Sequence, residues 1–455
     1  MTDHGSCCCR LPESAPFHSY EEVLQHLDSL GLFHMDMGLG RMERALHALE
    51  LDRLRCPAVQ IVGTNGKGST SVFLQSIAMA HGLNVGLYTS PHFVWPEERI
   101  RLNHTMLPRR VWPALAGDAL RAEKGLTYFE LLTVMAASAF QTSESDLAIF
   151  EAGLGGRYDA TTALPVDMIC FVPMGMDHMN VLGDSLAAIA DDKSDALREG
   201  VAMAVSAPQE SEARDILFAK ADARQIPLCS CPTKEKCGGT RAGSALWESL
   251  PEELKACSVL PDDAILGLRG PHQHVNAQTA VLAWVLLCHR YRWKTDCRTI
   301  ARGLRLAFIP GRLQYAPASG GHPALWLDGA HNTHGMKALL ASVRDMGEEE
   351  RPGAVVFSCL ADKEPEKLTA LVRELAGDLP LFVPTIKDNP RAAQGSALSA
   401  MLGPKALAVP GLKEALAEAE QAAGKRPVLV CGSLYLLSEL FTLWPDLLEA
   451  PLASS

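Results

Sequence analysis

The fold is decided by one stretch of the sequence, Ala58-Val-Gln-Ile-Val-Gly-Thr-Asn-Gly-Lys-Gly-Ser-Thr70. Its first five residues form a short, mostly apolar run, which is typical of a buried strand. The glycines that follow let the backbone curl, so that successive N–H groups can point at one anion. Residues 70–81 then have helical periodicity. This strand–loop–helix order predicts a loop that binds the phosphates of a nucleotide.

The loop departs from the regular G-x-x-x-x-G-K-[ST] pattern, because Ile61 occupies the position of the first glycine and Gly68 separates the lysine from the serine. Lys67 is suited to the β- and γ-phosphates, and the Ser69 hydroxyl to Mg²⁺. We expect the phosphate-binding residues to be Gly63, Thr64, Asn65, Gly66, Lys67, Gly68, Ser69 and Thr70. By itself the loop does not separate a kinase, a switch GTPase and a ligase.

The alternation of strands and helices continues beyond the loop and predicts an α/β protein with parallel sheets. Further strands are predicted at 85–88, 147–150, 168–172 and 202–206, with helices that include 129–140 and 183–199. The pattern breaks at 309–312 and then restarts. We therefore predict a P-loop parallel-sheet ATPase domain over 1–308, with residues 1–18 as a loose tail, and a smaller Rossmann-like α/β domain over 309–455.

Composition limits the partners of the chain. The formal net charge of −11 over 455 residues does not suggest a basic face for nucleic acid. No apolar run approaches the ~20 residues of a membrane span, and the N-terminus lacks the apolar core of a signal peptide. We expect a cytoplasmic monomer that acts on small molecules, without membrane or nucleic-acid partners.

The 13 cysteines are scattered through the chain. Cys170, Cys288, Cys359 and Cys431 lie in apolar segments, so buried, reduced thiols are expected there. Cys7–Cys9 and the group Cys229, Cys231 and Cys237 lack the regular spacing of zinc ligands.

Polar side chains follow several predicted strands at the point where each strand ends. Ser90 follows the strand at 85–88, Glu151 the strand at 147–150, and Asp177-His178 the strand at 168–172. Each has an alternative structural explanation when taken alone: a Ser-Pro turn, a glycine-rich turn or a helix cap. Because ligands of parallel sheets bind at the carboxyl ends of the strands, we expect these residues and the phosphate loop to form one ATP–metal site.

A series of segments in a fixed order resembles the Mur-ligase superfamily and, within it, the folylpolyglutamate synthase/dihydrofolate synthase family. The resemblance covers about residues 20–440. Besides the phosphate loop, the matching segments are Leu39–Arg44, Tyr88–His92, Glu98–Arg101, Thr127–Glu130, Glu151–Thr161, Asp177-His178, Gly270–Ala277, Pro310–Arg312, Asp328–Asn332, Asp362-Lys363 and Gly432–Tyr435. Each segment is modest alone, and their order and spacing are specific.

The resemblance implies an ATP-dependent ligase that joins glutamate to a folate-type carboxylate through an acyl phosphate. It implies ATP and two Mg²⁺ ions as cofactors, with a monovalent cation as an open alternative. The resemblance implies catalytic roles for Lys67, Glu151, His178 and Lys193, and metal ligation by Ser69, Ser90, Glu151 and His178. It implies nucleotide contacts from Asn276, Arg312, Asp328 and His331. It implies substrate contacts from Thr127, Phe129, Arg157 and Asp159. In this family, the lysine that Lys193 matches is carried as a carbamate, and Phe129 matches a segment that contacts the pterin.

Two of the departures from the family pattern lie directly beside His178 and Lys193. The family usually has Glu-Lys-Ala-Gly-Ile around the modified lysine, where this chain has Asp192-Lys-Ser-Asp-Ala196. His178 is followed by Met179, where threonine is common. The residues leave open which folate substrates are used.

Three alternatives remain at this stage. Another Mur-type amino-acid ligase would share the phosphate loop and Glu151. A GTPase-like switch would need a guanine-specific N-K-x-D in a suitable place. A non-catalytic homologue would bind ATP without glutamate-dependent turnover.

Overall fold

The structure is a computed structural model that describes residues 16–31, 36–233 and 236–450. Its strands are β1 Ala58–Val62, β2 Val85–Tyr88, β3 Ile100–Leu102, β4 Thr105–Met106, β5 Leu147–Glu151, β6 Met168–Phe171, β7 Met203–Ser206, β8 Leu228–Thr233, β9 Lys236–Gly239, β10 Gln314–Ala316, β11 Leu325–Asp328, β12 Ala354–Phe357, β13 Leu381–Pro384, β14 Ala406–Val409 and β15 Val428–Cys431.

The α-helices alternate with these strands along most of the chain. They are α1 Tyr20–Leu30, α2 Gly40–Ala48, α3 Lys67–Ala80, α4 Trp112–Ala122, α5 Tyr128–Thr142, α6 Met179–Leu182, α7 Leu186–Ser194, α8 Ser211–Ala223, α9 Arg241–Glu248, α10 Glu252–Cys257, α11 His272–Tyr291, α12 Cys297–Leu306, α13 Thr333–Arg344, α14 Pro365–Ala376, α15 Gly395–Leu402, α16 Leu412–Ala423 and α17 Leu434–Leu443. None of the described helices is long and apolar enough to cross a membrane.

The first sheet has the strand order β4-β3-β2-β5-β1-β6-β7-β8-β9 among the described residues. Strands β2 to β8 of that order are parallel, and antiparallel strands close both edges. The central strands β1, β2, β5 and β6 are buried along their whole length, as expected for parallel strands covered on both faces. Because β2, β5, β1 and β6 are neighbours, the residues that follow them meet at one edge of the sheet.

The second sheet has the order β10-β11-β15-β12-β13-β14, in which only β10 is antiparallel. A core cluster fills the space between this sheet and its helices, with Trp326, Met336, Phe357, Leu368 and Leu429 among its buried members. The protein therefore has the predicted fold class, a parallel-sheet α/β part followed by a smaller Rossmann-like sheet.

Contacts divide the chain into two compact units. The first contains the described residues up to Lys67, with His81–Pro91 and Glu97–Lys255. The second contains Gly68–Ala80, His92–Pro96 and the described residues from Ala256 onward. Helix α3, which follows the phosphate loop, therefore belongs to the second unit except for its first residue, Lys67. The predicted domain boundary at residue 309 stays a prediction.

Most predicted elements are present, and the differences have local causes. The helix predicted over 183–199 is shorter in the structure, where α7 spans Leu186–Ser194. Gly183, with a φ of 106°, ends the preceding helix α6, and the Ser185 side chain caps the start of α7. The irregular region predicted around 228–262 forms the β8–β9 hairpin and the helices α9 and α10.

The expected buried thiols are confirmed at Cys170, Cys288, Cys359 and Cys431. One disulfide was not predicted: Cys257 is bonded to Cys297, 40 residues away in sequence. Cys7–Cys9 and the Cys237 side chain lie outside what is described. Among the described residues, no group of three or more His, Cys, Asp or Glu side chains forms a metal-binding cluster.

Candidate functional site

The phosphate loop leaves the buried strand β1 and passes into helix α3. Gly63 has a φ of 151°, and a Cβ there would lie 2.3 Å from the Val172 side chain, so only glycine fits. The backbone N–H groups of Thr64 and Asn65 both donate to the Pro173 carbonyl, at 3.0 and 3.2 Å. The loop is therefore held against the segment that follows β6, while the N-terminus of α3 provides the helix dipole that favours an anion.

Lys67, the first residue of α3, folds back over this loop. Its Nζ donates to the carbonyls of Gly63 and Thr64, at 3.3 and 3.2 Å. These contacts hold the ammonium group at the loop. The corresponding lysine of a P-loop reaches the β- and γ-phosphates, and that role for Lys67 stays a prediction. Two further predicted residues, Ser69 and Thr70, lie in the first turn of α3 and are buried.

Lys193 on α7 approaches the same loop from a distant part of the sequence. It is 3% exposed, and its Nζ donates to the Gly63 carbonyl at 2.9 Å. Burial lowers the pKa of the Lys193 amine to about 7, and the positive charge of Lys67 acts in the same direction. A substantial fraction of this amine is therefore uncharged near neutral pH, which is uncommon for lysine.

Glu151 is the last residue of β5, the strand that lies between β1 and β2. The parallel register pairs Glu151 with Ile61, just before the phosphate loop. Its carboxylate is 5% exposed and accepts a hydrogen bond from the Ser90 N–H at 3.1 Å. Ser90 and Glu151, predicted together as metal ligands, are thus neighbours at the same sheet edge as the loop. Carboxylate and hydroxyl oxygens are the donors that Mg²⁺ prefers, so this pair fits the metal.

His178 lies at the end of the segment that follows β6. Its φ of 50° places it in the left-handed region, where it directly precedes helix α6. Its side chain is about half exposed, with Nε2 3.7 Å from the Asp177 carboxylate. Because β6 is the other neighbour of β1, His178 belongs to the same edge of the sheet as Glu151.

A glycine loop, which we define as residues 153–157, packs against α7. The Gly156 N–H donates to Asp192 at 2.9 Å, and a Cβ on Gly156 would lie 2.4 Å from the Lys193 carbonyl oxygen. Gly155 has a φ of 71° and would place a Cβ 2.4 Å from the Asp192 carboxylate. Glycine is thus required at both positions, and the close approach sets the position of Lys193.

The four predicted substrate residues divide into two groups. Phe129 is partly exposed, and its ring lies against Gly153, where an added Cβ would come within 2.8 Å of the ring. Thr127 caps α5 through a capping box with Glu130, whose carboxylate accepts the Thr127 N–H at 2.7 Å. Phe129 is therefore partly exposed beside the glycine loop, and its stacking on a pterin stays a prediction, whereas Thr127 positions the helix that carries it.

Arg157 and Asp159 are engaged within the protein. Arg157 donates to Asp195 and Asp191, each at 2.7 Å. Asp159 is buried and accepts from the N–H groups of Leu154 and Thr161. Burial raises the pKa of the Asp159 carboxyl, and these hydrogen bonds act against that shift. Both residues stabilise the glycine loop and its surroundings, and their contact with substrate stays a prediction.

The remaining predicted nucleotide residues lie in the second unit. Asp328, at the end of β11, accepts from the N–H groups of Leu313 and Ala330, at 2.8 and 2.9 Å. Burial raises the pKa of this carboxyl, and the nearby Arg312 opposes the shift. The His331 Nδ1 lies 2.8 Å from the Gly329 carbonyl, so this nitrogen carries the proton. Arg312, Asp328 and His331 are therefore brought together.

Asn276 lies on α11 and is buried, donating to Gln273 at 2.9 Å. Gln273 in turn contacts His272. Burial lowers the pKa of His272 to about 4, and the charge of Arg312 contributes to this shift. His272 was not predicted as a site residue, although it lies in the quoted segment Gly270–Ala277.

A second residue that the sequence analysis missed is Gln60. It lies in the middle of the buried strand β1, and its Nε2 donates to the hydroxyls of Thr161 and Thr162, each at 2.8 Å. These bonds fix the segment that follows the glycine loop. A polar residue inside an otherwise apolar buried strand was the available signal.

Three comparisons with known proteins show which proteins this chain is similar to. Residues 311–434 match the family model described as Mur ligase, glutamate ligase domain. The dihydrofolate synthase/folylpolyglutamate synthase of Bacillus subtilis is 30% identical over 369 residues, which cover 79% of this chain and 84% of that protein. Two solved structures are similar over nearly the whole chain.

One is E. coli FolC in complex with DHPP and ADP, with 26% identity, a TM-score of 0.76, and coverage of 96% of this chain and 99% of that one. The other is the bifunctional folylpolyglutamate synthase/dihydrofolate synthase from Yersinia pestis complexed with AMPPNP and a Mn ion. It has 25% identity and a TM-score of 0.74, covering 95% of this chain and 99% of that one.

Proposed function

Since the chain belongs to the dihydrofolate synthase/folylpolyglutamate synthase family and is an ATP-dependent ligase that adds glutamate to folates, we propose that Lys67, Glu151 and Lys193 form the centre of its active site. The observation that carries this proposal is the hydrogen bond from the Lys193 Nζ to Gly63, the first residue of the phosphate loop. It supports the proposal because it joins a buried lysine, distant in sequence, to the loop that we propose binds phosphate.

The reaction requires a carboxylate to attack the γ-phosphate of ATP, and both groups are anionic. Lys67 and the N–H groups at the N-terminus of α3 offset this repulsion and orient the phosphate for transfer. The amine of glutamate then attacks the acyl phosphate, forming the amide bond and releasing phosphate. Water must be excluded until this step, because it would hydrolyse the acyl phosphate.

Ser69, Ser90, Glu151 and His178 would hold divalent metal, which we propose to be two Mg²⁺ ions. Bound there, Mg²⁺ supplies charge neutralisation for the phosphates. A divalent ion as a cofactor is supported by the Mn ion bound with AMPPNP in the Yersinia pestis structure. A monovalent cation is a further proposal for the same site.

We propose that Lys193 carries a carbamate. The uncharged amine is the form that attacks CO₂, and its pKa of about 7 makes that form available. The product is a carboxylate-like group, suited to a metal. In a ¹³C NMR spectrum recorded with [¹³C]bicarbonate, the wild type should give a carbamate signal that K193M lacks. A wild-type spectrum without the signal would contradict the modification.

The activity is tested by phosphate release from ATP with Mg²⁺ and L-glutamate, adding dihydropteroate and tetrahydrofolate separately. Release should require both glutamate and a pterin. E151Q should lower kcat by at least about 100-fold, the order found for loss of one preorganised group that stabilises a transition state. K124A, which changes an exposed lysine, should leave kcat unaffected. ATP binding without pterin-dependent release, in folded protein, would favour a non-catalytic homologue.

We further propose that Asn276, Arg312, Asp328 and His331 contact the nucleotide, that residues 309–455 are a domain of their own, and that the enzyme is a cytoplasmic monomer. The charge interaction of Arg312 with Asp328, and the hydrogen bond that holds His331 to the neighbouring Gly329 carbonyl, support the first of these proposals.

A further inference from the structure

The segment that follows β6 exposes large apolar side chains beside the proposed active site. Met176 and Met179 are each 52% exposed, and Val181 is 39% exposed. Met176 and Met179 lie on either side of His178 in sequence. We call residues 176–181 the methionine loop.

The start of this segment is fixed to the phosphate loop. The Thr64 and Asn65 N–H groups donate to the Pro173 carbonyl. The Thr64 hydroxyl also lies 3.0 Å from the Gly175 nitrogen and 3.1 Å from the Gly175 oxygen. Met176 therefore directly follows a residue that is bonded to the phosphate loop.

The end of the segment is fixed to the glycine loop. The Leu182 side chain is buried and would lie 3.1 Å from a Cβ on Gly155. The same glycine loop packs against the Phe129 ring at Gly153. The methionine loop thus spans from the phosphate loop to the glycine loop that Phe129 contacts.

Dihydropteroate and a reduced folate differ in the atoms next to the carboxylate that reacts. The carboxylate that reacts must meet the γ-phosphate, so the atoms bonded to it lie next to the phosphate loop. In dihydropteroate these atoms are an aromatic ring, because the reacting carboxylate is part of a benzoyl group. In a reduced folate the reacting γ-carboxylate ends a glutamyl chain, which is flexible and polar.

We propose that Met176 and Met179 contact the benzoyl ring of dihydropteroate and thereby favour this aromatic carboxylate over the γ-carboxylate of a folate. Methionine sulfur and methyl groups pack well on aromatic rings. They offer a glutamyl chain no hydrogen bonds. The inference rests on the proposed function and names Met176 and Met179 as specificity-determining residues for that reaction.

The test compares kcat/KM for dihydropteroate and for tetrahydrofolate, each at saturating ATP, Mg²⁺ and glutamate. M176Q and M179Q keep the length of the side chain and make its end polar. Each should lower the dihydropteroate-to-tetrahydrofolate ratio of kcat/KM by about tenfold, the range expected for losing a small apolar contact. M179L, which remains apolar, should keep the wild-type ratio.

M401Q is the matched control, since Met401 is 40% exposed on α15 in the second unit. It should leave the ratio unchanged. A ratio unchanged in both loop variants, or equal losses for both substrates, would overturn the inference. A shift in oligomeric state of M179Q with an unchanged ratio would indicate a second copy on the loop and would also overturn it. Wild-type protein that releases no phosphate with either pterin overturns the proposed function as well.

Discussion

At the scale of single residues, Lys193 combines burial, a long-range hydrogen bond and a lowered pKa. The family resemblance pointed to this lysine, whereas its local sequence, Asp-Lys-Ser-Asp, read as a polar helix face. Only the packing of α7 on the glycine loop removes the side chain from water. The site therefore contains a lysine whose amine gains or loses its proton near neutral pH, because its surroundings lower its pKa.

The pKa of Lys193 predicts how stability depends on pH. In the unmodified folded protein the amine loses its proton near pH 7, whereas the ordinary value in the unfolded chain is 10.5. Between these values the unfolded chain binds more protons, so the free energy of unfolding rises from pH 7 toward pH 10 and falls as the pH is lowered toward 7.

Urea unfolding at pH 7 and pH 9, in buffers free of CO₂, measures this effect. The unfolding free energy of the wild type minus that of K193M should be more positive at pH 9 than at pH 7. The reason is that only the lysine side chain binds a proton on unfolding, whereas methionine has none to bind. The same difference at both pH values would show that the Lys193 pKa is not lowered in the folded protein.

At the scale of elements, the contact between α12 and α3 is made through backbone. A Cβ on Gly303 would lie 2.6 Å from the Ile77 Cα and 2.8 Å from the Ser76 carbonyl oxygen. Helix α3 begins at Lys67 and carries Ser69. The close packing of α12 therefore supports α3, the helix whose N-terminus belongs to the proposed phosphate site.

G303A should lower the free energy of unfolding by about 1–3 kcal/mol, the usual cost of forcing extra atoms into a packed contact. It should also weaken ATP binding measured by calorimetry. The matched control is G347A, since a Cβ on Gly347 meets nothing within 4 Å. Equal free energies of unfolding for G303A and G347A would mean that α12 and α3 can move apart without loss of stability.

A second element-scale prediction concerns the disulfide between α10 and the first residue of α12. It closes a loop of 40 residues, for which chain entropy gives a stabilisation of about 4 kcal/mol. Adding a reductant should lower the urea midpoint of the wild type. The double variant C257S/C297S should have the lower midpoint and be insensitive to the reductant. A wild-type midpoint unaffected by complete reduction would contradict this prediction.

At the scale of the whole molecule, the two units share one chain that passes between them repeatedly, after residues 67, 80, 91, 96 and 255. Helices α3 and α10 each have residues in both units. Unfolding one unit would therefore disrupt elements of the other, which argues for strong coupling between them.

We accordingly expect a single thermal transition, with calorimetric and van't Hoff enthalpies that agree. Mg²⁺ and an ATP analogue should raise its midpoint, because a ligand that binds the folded state stabilises it. Two separated transitions, only one of which moves with the nucleotide, would contradict the coupling between the two units.

Much of the molecule could be predicted from the sequence. The strand β1, the phosphate loop and the start of α3 follow from apolar periodicity and glycine placement within 13 residues. The polar residues Ser90, Glu151 and His178 follow strand ends, and β2, β5, β1 and β6 are neighbours. These features are local, or follow from the rule that parallel strands end at one edge.

Other features were decided only by tertiary structure, because they depend on residues far apart in sequence. Lys193 and Gly63 are 130 residues apart, and Gln60 meets Thr161 across 101 residues. Arg157 and Asp159 belong to a motif that suggests ligand contact, yet their side chains are engaged by protein partners. Periodicity and spacing indicate which residues can be buried or can form a turn. The packing of the sheets and helices determines which partner each residue contacts and how its pKa shifts.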